Sequence, residues 1–324
     1  MRSFFCPACK APVYFDNLVC SCGEALFYEP EARAMWNVAA PCANRDTISC
    51  NWVAIPNGPL CRSCAMSDVV PALNIGDNRG LLTRAEGAKR RMLANLSNWN
   101  WFNDADRGPR PRFLMLSEDA GGARTEQIVM GHANGDITIN VTEADTLTRL
   151  QRQQSLGEDY RAMIGHFRHE MAHFLFDRLS QANGFSAAFR ALFGDERADY
   201  AAALDRHYAA PSAPGQTHIT AYATAHPHED WAETVAHLLH LVDITDSFVH
   251  AGLTMPGIPA EYSAYHDADA NRLLTLATAV VIAINDINRA LDKGDLYPFI
   301  LTPKIREKMI FAHDWLMNHT ARGA

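Results

Sequence analysis

The spacing of apolar positions changes along this chain, and each change marks an element. Residues 81–96 place Leu, Met and Ala among Lys and Arg, all good helix formers, which predicts a helix there after a linker at 75–80. Residues 112–116 and 127–130 are short apolar runs that predict strands. His132-Ala-Asn-Gly-Asp136 carries the Asn-Gly turn signal, and it leads into Ile137-Thr-Ile-Asn-Val141, which alternates apolar with polar. Together these predict a small antiparallel sheet. From Glu143 onward the pattern is helical, with breaks at 155–157, 181–184, 211–215 and 256–259. Trp99, Trp101 and Phe102 are expected to be buried anchors. The apolar run at 273–284 is 12 residues long, short of the roughly 20 needed to cross a bilayer, and predicts a buried helix.

Composition adds bounds to this α+β reading. The chain has 324 residues, 48% of them apolar and 20% charged, as expected for a soluble globular protein of one large or two modest domains. Met-Arg-Ser-Phe-Phe-Cys at the start does not have the layout of a secretory signal, so a cytoplasmic protein is expected. A formal charge of −8 argues against a protein built to coat nucleic acid or an anionic membrane. Between Arg79 and Arg112 eight basic residues meet three acidic ones; a solvated helix face is the expected explanation.

All eight cysteines lie between Cys6 and Cys64. One set is Cys6, Cys9, Cys20 and Cys22; the other is Cys42, Cys50, Cys61 and Cys64. Pairs on tight turns gather four thiolates around Zn²⁺, and the metal supplies folding energy that so short a segment lacks. Two structural zinc ribbons are therefore expected at 1–74, with a second domain at 75–324. Residues 1 to 70 hold five basic and six acidic side chains, and thiolate sites add negative charge, so this module suits protein contacts better than nucleic acid.

The chemistry centres on His169-Glu-Met-Ala-His173 within a run of helix formers. On a helix, positions i and i+4 share a face, so His169 and His173 can offer two nitrogens to one metal with Glu170 alongside as general base. A catalytic zinc usually takes three protein ligands. An extended motif with Gly at 176 and His at 179 is excluded, because those positions hold Phe176 and Leu179. The next candidate stretch runs from Tyr222 to His237, with Pro227 opening a helix that carries Glu229 and Glu233 one turn apart. Either carboxylate can ligate while the other accepts the spare N–H of a ligand histidine. His226, His228, His237 and His240 lie close by, and a histidine would also satisfy zinc.

His-Glu-x-x-His on one helix with Glu on a later one resembles the gluzincins. Glu229-Asp-Trp-Ala-Glu233, with Tyr222 seven residues before its first Glu, is similar to the corresponding helix of the lethal-factor-like gluzincins. Cys6-Pro-Ala-Cys9, Cys61-Arg-Ser-Cys64, Gly131-His-Ala-Asn-Gly135, Phe193-Gly-Asp-Glu-Arg197, Asp199-Tyr200 and Tyr297-Pro-Phe299 extend the likeness over nearly the whole chain. It resembles the bacterial zinc-binding metallopeptidase family that carries an N-terminal zinc-ribbon domain. The shortened Cys20-x-Cys22 pair departs from that pattern. The resemblance implies Glu229 as third zinc ligand, Glu233 as support for a ligand histidine, and Tyr222 as donor to the oxyanion.

The expected function is hydrolysis of peptide or amide bonds at one catalytic zinc, with two structural zincs and Glu170 as general base. Peptides or proteins are the expected substrates, with the 137–141 strand pairing with an extended peptide and the ribbons open to a protein partner; no membrane role is expected. Two rivals are a binding protein whose His-Glu-x-x-His site is structural, and a nucleic-acid-binding ribbon protein using the 79–112 stretch. Phe193-Gly-Asp-Glu-Arg197 is read as a helix start. His132 and His166 are assigned no chemistry.

Overall fold

A computed structural model describes residues 4–119, 127–156, 162–297 and 299–319. The chain divides into two compact units, Met1–Phe167 and Arg168–Ala324, and most of the described chain outside the cysteine-rich segment is helical.

The first unit opens with two short antiparallel pairs, β1 (Phe4–Phe5) with β2 (Pro12–Val13) and β3 (Phe27–Glu29) with β4 (Ala34–Trp36). The single turn α1 (Arg45–Ile48) follows. Metal is not the only organiser of this segment. Phe4, Phe15, Tyr28 and Trp52 are buried together, with ring centroids 4.8 Å apart for Phe15 and Tyr28 and 5.3 Å apart for Tyr28 and Trp52. This shared aromatic core ties the two cysteine sets to one another.

β5 (Ser67–Val69) carries the chain out of the cysteine-rich segment and into a four-stranded sheet with β6 (Arg112–Leu116), β7 (Gly131–Ala133) and β8 (Asp136–Asn140). The boundary expected at 74/75 thus falls inside the first unit. The strand order is β5-β6-β8-β7. β5 runs parallel to β6 and β6 parallel to β8, while β7 and β8 are antiparallel. The expected antiparallel sheet is therefore mixed, because helix α2 (Asn78–Ser97) crosses over between β5 and β6. The strand expected at 127–130 is instead irregular, and its place is taken by 131–133. Asn134 and Gly135, at φ +51° and +86°, make the two-residue turn into β8. β8 lies between β6 and β7 and is paired on both sides from Asp136 to Thr138, so that part of it offers no free edge for a substrate peptide, against the expectation for 137–141. Phe113, Met115, Ile137 and Ile139 are fully buried beneath the sheet. Trp99, Trp101 and Phe102 are buried as expected. The linker expected at 75–80 already contains the first residues of α2.

Helix α3 (Thr146–Leu156) ends where the described residues pause, so Gly157 of the expected break lies outside them. The division between the two units falls within α4 (Met163–Leu179). The second unit continues with α5 (Phe185–Phe193), α6 (Tyr200–Ala209), α7 (Pro227–His250), α8 (Ala270–Ala290) and α9 (Pro303–Met317). The breaks expected at 181–184, 211–215 and 256–259 all fall between helices. Phe193-Gly-Asp-Glu-Arg197 does not start a helix: Gly194, at φ +103°, closes α5, and α6 begins at Tyr200 under a cap in which Asp199 accepts from the Ala202 N–H.

α7 is the centre of this unit. It opens as predicted, with Pro227 in the first turn and Glu229 and Asp230 at the positive end of the helix dipole. Trp231 on α7 is fully buried among Phe176, Phe185, Phe189, Phe193 and Phe311. Its Nε1 donates to the Ala172 carbonyl of α4 at 2.8 Å. Lys308 of α9 donates to Asp230 at 2.5 Å in a buried ion pair. α8 packs Leu273, Leu274, Ala277 and Val280 inward while Ile282 and Ile287 remain exposed, so the run expected as a buried helix is buried on one face only. Its 21 residues are, by length and composition, apolar enough to cross a membrane.

The Trp231 anchor gives the first prediction. Trp231→Ala empties a fully buried site and strands a helix-to-helix hydrogen bond, so urea unfolding should show a loss of about 3–5 kcal/mol. A loss under about 1 kcal/mol would mean that α4 and α7 are not held by this residue.

Candidate metal centre

The site is built from the facing turns of α4 and α7. His169 and His173, one turn apart on α4, bring their Nε2 atoms to 3.3 Å. Glu229, in the first turn of α7, places Oε2 at 3.0 Å from His169 Nε2 and Oε1 at 3.5 Å from His173 Nε2. The three side chains form a set of possible ligand atoms all within 4.8 Å of one another. A tetrahedral zinc with bonds near 2.1 Å has ligand edges of about 3.4 Å, so these separations fit the ion.

Charge points the same way. Glu229 is fully buried and pairs with His169 and His173. Burial works against its ionisation, but hydrogen bonds from His169 and His173 outweigh that and hold its carboxyl well below the usual range. His169 answers in the opposite direction: burial depresses its pKa, while Glu229 and Glu233 raise it well above the ordinary value. A proton on the His169 imidazole here occupies the place of a cation beside the carboxylates.

Support lies behind the ligand set. Glu233 Oε1 accepts from His169 Nδ1 at 2.7 Å, which directs the ring's Nε2 toward Glu229. Glu233 Oε2 in turn accepts from Thr220 Oγ1 at 2.8 Å. Tyr200 donates to Glu229 Oε1 at 2.5 Å. Burial and the Glu229 charge raise its pKa, so the phenol stays protonated and remains a donor. Tyr222 packs its ring 5.8 Å from that of His169; burial first, then Glu229, Tyr200 and Tyr208, keep it protonated as well. Glu170 is buried beside the two histidines on α4.

The other nearby histidines stand outside the ligand set, with His237 Nε2 3.8 Å from Glu233 Oε2. His226 caps α7: its Nδ1 accepts from the His228 N–H at 3.2 Å and its Nε2 donates to the Ala198 carbonyl at 3.1 Å. His228 packs on Phe176 with centroids 4.5 Å apart, and burial, with the His173 and His226 charges, pushes its pKa down to about 4. His237 lies 4.4 Å from Phe299 between ring centroids, and burial lowers it to about 4. His240 Nδ1 meets Arg168. In the first unit, His132 Nε2 accepts from the Gly135 N–H in the turn before β8, and His166 lies 3.0 Å from Glu143. Tyr200 and Thr220 had no assigned role in sequence. Asp199-Tyr200 stood out in it only as part of a family likeness, and nothing marked Thr220.

Both cysteine sets also converge. Cys6 and Cys22 sulfurs are 3.9 Å apart and those of Cys9 and Cys20 3.6 Å. In the other set Cys50 lies 3.6 Å from Cys61 and 3.7 Å from Cys64. The edge of a tetrahedral zinc–thiolate site is about 3.8 Å for a Zn–S bond of 2.3 Å, whereas a disulfide requires about 2.05 Å. Gly23, at φ +90°, provides the turn that lets the short Cys20-x-Cys22 pair close on Cys6 and Cys9.

Two Cys₄ groups and a His₂Glu group define a zinc-binding protein. Residues 78–315 match the family model described as "Putative zinc-binding metallo-peptidase", and residues 3–75 match a zinc-ribbon domain. The chain belongs to this zinc-binding metallo-peptidase family. It is 36% identical over 330 residues to an uncharacterized protein of Mycobacterium tuberculosis and to one of Mycobacterium bovis, covering 97% of this chain and 94% of each relative. No solved structure matches it.

The Glu233 contact yields a prediction. Glu233→Ala frees the His169 ring, and metal affinity of the His₂Glu group should fall about 10–100-fold in competition with a chelator. Unchanged affinity would show that Glu233 does not orient His169.

Proposed function

We propose that this protein is a zinc-dependent peptidase of the gluzincin type, with one catalytic and two structural zinc ions. The observation that carries the reading is the convergence of His169 Nε2, His173 Nε2 and Glu229 within 4.8 Å, with Glu170 next to His169 on the same helix. Family membership supports it. In this proposal His169, His173 and Glu229 hold the catalytic ion, which when bound supplies Lewis acidity toward water and an amide carbonyl.

The remaining work falls to side chains. Glu170 takes the proton of the attacking water and passes it to the leaving amine, since a buried carboxylate beside the reaction centre serves as base and then as acid. Glu233 and Thr220 keep His169 in the tautomer with its proton on Nδ1. Tyr222 donates a hydrogen bond to the oxyanion of the tetrahedral species. Tyr200 holds one oxygen of Glu229, leaving the other to face His169. Peptides or proteins are the proposed substrates.

Turnover on a peptide library tests this reading. Glu170→Gln should keep its full metal content and lose about 10²-fold or more in rate. Retention of wild-type turnover by that variant would show that Glu170 is not the base.

A further inference from the structure

The two cysteine sets differ in their surroundings. Cys9 and Cys22 of the first are exposed, so water screens whatever charge that site carries. All four cysteines of the second set are buried. Four thiolates around one divalent ion leave about two negative charges, and such charge is costly to bury without a compensating cation.

Helix α2 provides one. Its inward face carries Glu86, Lys89 and Arg90, all buried. Lys89 Nζ donates to Glu86 Oε1 at 2.8 Å, and Ser67 Oγ donates to the same oxygen at 2.5 Å. That pair is neutral, which leaves Arg90 as the surplus positive charge. Its Nη2 reaches the carbonyl of Ser49, the residue before Cys50, at 3.5 Å. Its Nε and Nη1 have no hydrogen-bond acceptor among the described residues. A guanidinium stays protonated in proteins, so this buried cation calls for a nearby anion. Burial alone would lower its pKa, yet Cys50, Glu86, Cys64 and Cys61 together hold it above the ordinary value.

We propose that Arg90 is the counter-charge of the metal-loaded Cys42, Cys50, Cys61 and Cys64 cluster, so that metal on this ribbon and the seating of α2 stabilise one another. The stretch read as a solvated basic face thereby contains a cation that serves the second ribbon. Loss of the metal leaves Arg90 without its partner, and loss of Arg90 leaves a buried anion without its own.

Cadmium-loaded full-length protein tests this, because the thiolate-to-cadmium absorption band reports the two cysteine sets and is silent for the His₂Glu group. Excess chelator should remove metal from the exposed first set quickly and from the buried second set slowly. Arg90→Met and Arg90→Gln should accelerate the slow phase about tenfold or more and leave the fast phase unchanged. Arg90→Lys, which keeps the charge, should fall near the wild type. Arg91→Met, on the neighbouring residue paired with Asp16 at 2.5 Å, should leave the slow phase untouched. Equal slow-phase rates for Arg90→Lys and Arg90→Gln, or no acceleration in either neutral variant, overturn the proposal. If Arg90→Met does not fold, the Lys and Gln variants decide.

Discussion

The hydrogen bond from Trp231 Nε1 to the Ala172 carbonyl, sealed in a ring of phenylalanines, fixes the register between α4 and α7 on which the candidate site depends. A helix places His169 and His173 on one face, and another places Glu229 and Glu233 on one face, but neither periodicity says which turns meet. Trp231 lies between the two carboxylates in sequence, and Ala172 lies next to His173. Locking one to the other brings Glu229 to His173 and His169, and brings Glu233 to the far nitrogen of His169. Apolar packing here sets ångström-scale polar geometry.

Electrostatics then decides what such a site can hold. Glu229 and Glu233 face histidines, in a setting where burial penalises every unpaired charge. A cluster of this composition is completed by a cation. The same logic operates at the other end of the charge scale in the first unit, where a buried guanidinium of α2 reaches the Ser49 carbonyl next to the buried Cys50. Each metal group is thus more than its ligands: Thr220 and Tyr200 steady one, and Arg90 balances another.

Local spacing made much of this legible. The histidine pair, the two cysteine sets and the opening of α7 at Pro227 are short-range patterns, and the Asn134-Gly135 turn is a two-residue signal. What escaped depends on long-range contacts. Tyr200 lies 29 residues from Glu229, and only the placement of α6 brings its hydroxyl there. The parallel pairing of β5 with β6 requires the crossover through α2. Lys89 and Arg90 read as solvated because helix periodicity does not reveal which neutral or anionic partner awaits a charged side chain. Phe193-Gly-Asp-Glu-Arg197 reads as a helix start because its acidic residues suit a first turn; the positive φ of Gly194 makes it a helix end instead.

Zinc content per chain, measured by mass spectrometry on the wild type and on a His169→Ala/Glu229→Ala variant, tests the central claim most directly. With one ion proposed for each of the three donor groups, the variant should lose one equivalent and keep those of the two cysteine sets. An unchanged zinc content in a folded variant would contradict the convergence of α4 and α7 on a metal.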